Sequence, residues 1–132
     1  MMREGNMKTK NLFVLDETDD KAVQLFTDLG VPRNLAKTLM YISQINECRS
    51  AEIEQGADLR QPEVSIAMQE LRRRGWITKR DLKGDGKGRP IHIYSPVAQL
   101  SEIMKNIEQE KLKEVQTIQD NISKLKDIVK NK

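Results

Sequence analysis

The amino-acid pattern predicts a mainly α fold with a small β component: three to four short helices, a two-stranded hairpin and one long terminal helix. Three observations predict it. Apolar residues recur at helical spacing in short stretches between residues 19 and 74. After Gly75 the period changes to alternation, interrupted by a run of glycines and charges. From Val97 onward the chain holds no Gly or Pro, and its apolar residues step by threes and fours.

Residues 1–18 mix charge, Asn and Thr around Leu12, Phe13, Val14 and Leu15, which reads as a flexible N-terminal segment with one short apolar anchor. The first helix is expected to enter at Asp19-Asp20, whose carboxylates suit the positive end of the helix dipole. Val23, Phe26 and Leu29 share one face, and Gly30 ends the helix. A second helix opens at Pro32 and runs to about Asn46, with Leu35, Leu39, Ile42 and Ile45 as its stripe and Ala36 and Met40 widening it. A short third helix follows Ser50, a good N-cap. Ile53 is its core residue, and Gly56-Ala57-Asp58 is expected to form the turn. A fourth helix opens at Gln61-Pro62, buries Val64, Ala67, Met68 and Leu71, and stops at Gly75 after Arg72, Arg73 and Arg74.

Trp76 to Arg80 and Pro90 to Ser95 read as two strands, with Lys83-Gly84-Asp85-Gly86-Lys87-Gly88-Arg89 as the flexible tip between them. Trp76 is expected to anchor the hairpin on the helices. Beyond Pro96, the residues Val97, Leu100, Met104, Ile107, Lys111, Val115, Ile118, Ile122, Leu125 and Val129 form a heptad seam with one extra four-residue step near Lys111. A helix of this length extends roughly 50 Å at 1.5 Å per residue, and too little chain remains to cover it. The seam is most simply buried against a second copy, a homodimeric coiled coil. The expected organisation is therefore a flexible segment 1–18, a winged helix-turn-helix domain 19–96 and a dimerisation helix 97–132.

Composition narrows the function. The one cysteine, Cys48, excludes a disulfide framework or a multi-thiolate metal centre, and the one histidine, His92, excludes a site of several imidazoles. No apolar run approaches the roughly 20 residues of a membrane span. Asn11 to Leu15 is too short for a signal peptide, so a cytoplasmic protein is expected. No nucleophile–base pair or carboxylate dyad stands out, and neither an enzyme nor a cofactor is expected. A calcium loop starting at Asp81 fails because Lys83 and His92 fall on ligand positions, and the hairpin glycines lack the spacing of a phosphate-binding loop. Cys48 lies beside Arg49, which makes it a candidate for a thiol of lowered pKa. His92, on a strand without partners, reads as structural or solvent-facing.

The net charge of +3 conceals an asymmetry. Residues 72–89 hold eight Lys and Arg against two Asp, a local +6 in a chain that is otherwise acidic or balanced. Such concentration suits a polyanion. In a winged helix-turn-helix, the third helix props the fourth so that its N-terminal half enters the major groove of double-stranded DNA. Arg60, Gln61, Glu63, Ser65, Ile66 and Gln69 then lie off the buried face and within reach of DNA. Gln suits adenine, Glu suits cytosine, and Ile66 suits a thymine methyl. Arg72, Arg73, Lys79, Lys83, Lys87 and Arg89 would neutralise phosphates or enter a minor groove.

The run from Gln61 to Ile77 resembles the recognition helix of ArsR-like repressors, which show Gln-Pro-x-Val-Ser, an aliphatic residue and then Leu-Arg-x-x-Gly before the wing. The broader layout is similar to archaeal TrmB-like and MarR-like regulators. Leu29-Gly30-Val31 precedes a helix, Gly88-Arg89-Pro90 opens the second wing strand, and Tyr94, Pro96 and a long helix follow. The resemblance covers about residues 20–110 and implies a homodimeric DNA-binding regulator. The paired thiolates of ArsR-like metal sensors are missing, and no large ligand domain follows as in TrmB-like sugar sensors, so it implies no effector. The other readings are a winged-helix docking module whose long helix binds a different chain, and an RNA-binding face. The scarcity of aromatics, 4% of residues, argues against single-stranded RNA.

Overall fold

The computed structural model describes residues 13–82 and 91–132. In chain order these form α1 (Glu17–Asp28), α2 (Arg33–Ile45), α3 (Ser50–Gly56), α4 (Gln61–Arg73), β1 (Ile77–Leu82), β2 (Ile91–Pro96) and α5 (Leu100–Lys130). The chain divides into two compact units, one ending at Gln99 and the other comprising Leu100–Lys132. The expected architecture, a mainly helical winged helix-turn-helix with a two-stranded β-wing and a long C-terminal helix, is the one observed. The expected hairpin tip, with Lys83, Lys87, Arg89 and the strand start at Pro90, lies outside the described residues, as do residues 1–12.

Helix α1 begins two residues ahead of the expected entry at Asp19. Asp16 is the cap: the Asp19 N–H donates to Asp16 Oδ1 at 2.9 Å, and the Asp16 N–H donates to Asp19 Oδ2 at 2.9 Å. This reciprocal capping box satisfies two otherwise orphan donors. Asp19 is buried, and its second oxygen accepts from Gln44 Nε2 at 2.9 Å. The part of the expected flexible segment that is described is likewise tied to the domain. Phe13 packs against Tyr41 with the ring centroids 5.4 Å apart and the planes tilted by 57°, and the Leu15 N–H donates to the Gly56 carbonyl at 3.0 Å.

The helix ends share one device. After α1, the Gly30 N–H donates to Thr27 O and the Val31 N–H to Phe26 O, with Gly30 at φ +94°. After α4, the Gly75 N–H donates to Arg72 O and the Trp76 N–H to Leu71 O, with Gly75 at φ +79°. Both are Schellman motifs, in which a left-handed glycine lets two carbonyls of the last turn be satisfied. The first corrects the expected stripe: Leu29 falls on the cap and is 44% exposed, and Val31, past the turn, is buried in its place. The second fixes Trp76, so β1 starts at Ile77 rather than Trp76 and runs two residues beyond the expected end.

The core of the first unit is built by Val23 and Phe26 of α1, by Leu35, Ala36, Leu39, Met40, Tyr41 and Ile42 of α2, and by Val64, Ala67, Met68 and Leu71 of α4. Ile45 of the expected α2 stripe is only half-buried. Ser50 is the first residue of α3 rather than its cap; Glu52 reaches back instead and accepts the Arg49 N–H at 2.7 Å. Gly56 is the last residue of that helix, not part of a turn. A Cβ there would overlap the Tyr41 ring and lie 2.6 Å from the Phe13 carbonyl oxygen, which explains the glycine by close approach.

Strands β1 and β2 are antiparallel, Ile77 opposite Pro96 and Leu82 opposite Ile91. Cys48 adds a bridge to the outer side of β2, donating to and accepting from Tyr94 at 3.0 and 2.8 Å. Tyr94 and Trp76 are buried, so the hairpin is anchored at its base as expected of Trp76.

In the second unit the helix starts at Leu100. Val97, the first expected seam position, precedes it, and its N–H extends the hairpin by donating to Trp76 O at 2.8 Å. Ile103, which the seam omitted, is buried, as is Ile107. Leu100 and Lys111 are half-buried. Met104, Val115, Ile118, Ile122, Leu125 and Val129 are exposed, and Leu112 and Ile128 beside them are exposed too.

Candidate nucleic-acid interface

Burial of Val64, Ala67, Met68 and Leu71 decides which way α4 faces, because residues three and four apart share a helix face. The opposite face carries Gln61, Ile66, Gln69, Arg72 and Arg73 to solvent, with Glu63 and Ser65 half-buried at its edges. Ile66 is 69% exposed in the middle of this polar surface.

Arg60 is the N-cap of α4 and is exposed. Glu63, expected to meet a base, accepts the Arg60 backbone N–H at 2.8 Å through Oε1. One oxygen of that carboxylate is therefore committed to holding the start of the helix. The three arginines at the other end are not equivalent. Glu70 receives Nε and Nη2 of Arg73 at 2.9 and 2.6 Å, and Nε of Arg74 at 2.8 Å. These two guanidinium groups hold the Glu70 carboxyl down at about 2. Arg74 also lies over the Trp76 ring, 5.0 Å from its centroid, a cation–π contact that ties it to the base of the hairpin. Arg72 has no ion-pair partner among the described residues. The sequence reading missed Glu70, although its spacing of three and four from Arg73 and Arg74 is the signal for such pairs.

Two clefts flank α4. One, of about 460 Å³, runs beside the start of α2 and is lined by Pro32, Arg33, Leu35, Glu63, Ile66, Glu70 and Arg74 among others. Its two cations face two carboxylates. The other, of about 480 Å³, lies between α4 and β1 and is lined by Gln69, Arg72, Arg73, Ile77, Thr78 and Lys79. It holds three cations and no carboxylate. The structure thus groups Gln69 with Arg72, Arg73 and Lys79, and places Ile66 and Glu63 on the other flank.

Further along the wing, Arg80 pairs with Glu47 at 3.1 Å. His92 is not without partners: its Nδ1 lies 2.7 Å from Asp81 Oδ1, the residue directly opposite in the ladder. Cys48 does not have a lowered pKa. Burial, and then the nearby Glu52 charge, push its thiol up to about 12, and the Arg49 beside it in sequence does not offset them. A low-pKa thiol needs an accessible, electropositive setting, which this is not. Among the described residues no cluster of His, Cys, Asp or Glu could hold a metal ion, and no helix is long and apolar enough to cross a membrane.

No protein-family model and no curated protein sequence matches the chain. Solved structures do. TrmBL2, an archaeal chromatin protein described as showing a novel mode of DNA binding, aligns with a TM-score of 0.64 at 15% identity, over 84% of this chain and 41% of its own. The chain therefore spans less than half the length of that protein. A possible transcriptional regulator from Methanosarcina mazei Go1 aligns with a TM-score of 0.55 at 15% identity, over 76% of this chain and 80% of its own. A MarR family transcription regulator aligns with a TM-score of 0.50 at 15% identity, over 79% of this chain and 67% of its own. The chain has the winged-helix fold of TrmB- and MarR-type regulators.

Proposed function

We propose that the chain is a sequence-specific double-stranded-DNA-binding transcription regulator that acts as a homodimer, and that it is a binding protein rather than an enzyme. The observation that carries this reading is the outward face of α4. An exposed isoleucine sits among Gln61, Ser65 and Gln69, with Arg72, which has no ion-pair partner among the described residues, near the C-terminal end of the helix. An exposed Ile alone is unremarkable, but on this face it matches the apolar contact that a thymine methyl offers in the major groove. The regulators that share the fold, and the DNA binding ascribed to TrmBL2, support the same reading.

In this account Gln61, Ser65 and Ile66 meet base edges, Arg60 and Arg72 meet phosphates, and the wing's Lys83, Lys87 and Arg89 lie on the flanking backbone or in the minor groove. Domain 19–96 reads the DNA, and the helix beyond it pairs two copies through Val115, Ile118, Ile122, Leu125 and Val129. Their exposure along one 31-residue helix supports that pairing. Gel shifts test the wing: replacing Lys87 and Arg89 with Ala should weaken binding to every duplex and flatten its salt dependence. Unchanged affinity across a salt series would remove the wing from the interface. Light scattering before and after truncation following Gln99 tests the pairing. A dimer that becomes a monomer supports it, and a full-length monomer favours a helix that docks on a different protein.

A further inference from the structure

We infer that the cleft between α4 and β1 seats one backbone phosphate of the bound duplex, and that Gln69 belongs to this seat rather than to base recognition. The inference rests on the DNA-binding reading and assigns one part of it. Gln69, Arg72, Arg73, Thr78 and Lys79 line a single cleft of about 480 Å³ with no carboxylate among its lining residues. Amide, hydroxyl and cationic donors are the groups that fix phosphate oxygens. The cleft on the other flank of α4 carries Arg33 and Arg74 against Glu63 and Glu70, so it offers no net attraction to a polyanion. Glu70 also pairs with Arg73, so the β1 flank keeps Arg72 and Lys79 without ion-pair partners among the described residues, whereas the two cations of the other flank are matched by two carboxylates.

Position along the helix agrees. Gln69 stands eight residues beyond Gln61, about 12 Å up the axis at 1.5 Å per residue. A major groove is about 8.5 Å deep. When α4 enters with its N-terminus leading, Gln61 and Ser65 reach base edges while Gln69 and Arg72 stand at the lip, level with the sugar–phosphate strand. Arg72 supplies the free cation, since Arg73 is shared with Glu70. Thr78 and Lys79 approach from β1, so the seat also fixes the distance between the wing and the reading helix.

The test uses full-length protein and a duplex selected from random DNA by the protein itself. Gln69→Ala should weaken binding roughly two- to tenfold, the range of one net hydrogen bond, and equally on the selected and a scrambled duplex. Arg72→Ala should flatten the slope of log K against log salt by about 0.9. Methylphosphonates placed singly along the duplex should reveal one position whose neutralisation costs the wild type about eightfold at 0.1 M salt and costs Arg72→Ala markedly less, as loss of its contact to that phosphate implies. A Gln69→Ala protein that reorders its preferred sequences, or the absence of any phosphate coupled to Arg72, would overturn the seat and leave DNA binding intact. Failure of the wild type to bind any duplex would overturn both. Both side chains are exposed, and matching thermal melts confirm that the variants fold.

Discussion

Glu70 is the residue whose removal should increase DNA binding. Its carboxylate accepts both Arg73 and Arg74, at 2.6–2.9 Å, on the helix proposed to enter the groove. Arg73 is largely exposed, so the pair sits in solvent and opens readily. A phosphate competing for Arg73 must displace Glu70, and a carboxylate this close also repels the strand. Glu70→Gln removes the charge and keeps the shape. Arg73 is then free to neutralise one more phosphate, which steepens the log–log salt slope by about 0.9 and, at 0.1 M salt, tightens binding by about eightfold. Arg74 stays over Trp76 in either form, so the fold should change little. Fluorescence anisotropy between 50 and 300 mM salt measures the slope. The gain should vanish in the Glu70→Gln, Arg73→Ala double variant, while Arg73→Ala alone should cost little. Equal slopes for wild type and Glu70→Gln would show that Arg73 faces no phosphate.

Acid should not mimic this variant. Glu70 titrates at about 2, below its ordinary 4.5, so lowering pH from 7 to 5 leaves it ionised and Arg73 held, and pH 5 binding should show no Glu70→Gln-like gain. Gly56→Ala should destabilise by about 1–3 kcal/mol through overpacking against Tyr41 and Phe13, read as a lower urea midpoint at unchanged slope. Asp19→Ala removes the acceptor of the Asp16 N–H and one of the two acceptors of the Gln44 amide, which keeps the Met40 carbonyl, and should cost about 0.5–1.5 kcal/mol per lost bond in the same assay. Cys48 should react with a thiol reagent at pH 8 far more slowly than in urea. Its raised pKa, shared by Tyr41, means the native state retains protons the unfolded state loses, so stability is full below about 9 and declines as pH rises toward 12.

What was legible from the sequence was whatever depends on spacing. Val64, Ala67, Met68 and Leu71 fixed the orientation of α4, and Gly30 and Gly75 marked the ends of their helices. What was not legible depends on which of two equivalent local groups wins. The sequence places the entry of α1 at Asp19-Asp20 and a cap at Ser50, but Asp16 caps α1 with Asp19 three residues on as its reciprocal partner, and at α3 Glu52 reaches back to the Arg49 N–H. The sequence predicts a turn at Gly56 where the structure has helix, because the reason for the glycine is a tertiary one, the Tyr41 ring across from it. In the candidate interface, the basic cluster was visible as composition, yet its division into a free Arg72, a Glu70-held Arg73 and a Trp76-stacked Arg74 required side-chain geometry. Gln69 reads as a base contact from its position off the apolar stripe; the cleft it shares with Arg72 and Lys79 exists only because β1 lies beside α4, which spacing does not encode.

The most direct measurement is selection of bound fragments from a pool of random duplexes by the purified full-length protein. An inverted repeat whose half-sites lie about one helical turn apart, roughly 34–36 Å, should be enriched, with the Ile66→Ala protein losing preference at a thymine in each half. A pool that emerges without any enriched sequence, or that is enriched identically by wild type and Ile66→Ala, would contradict that expectation.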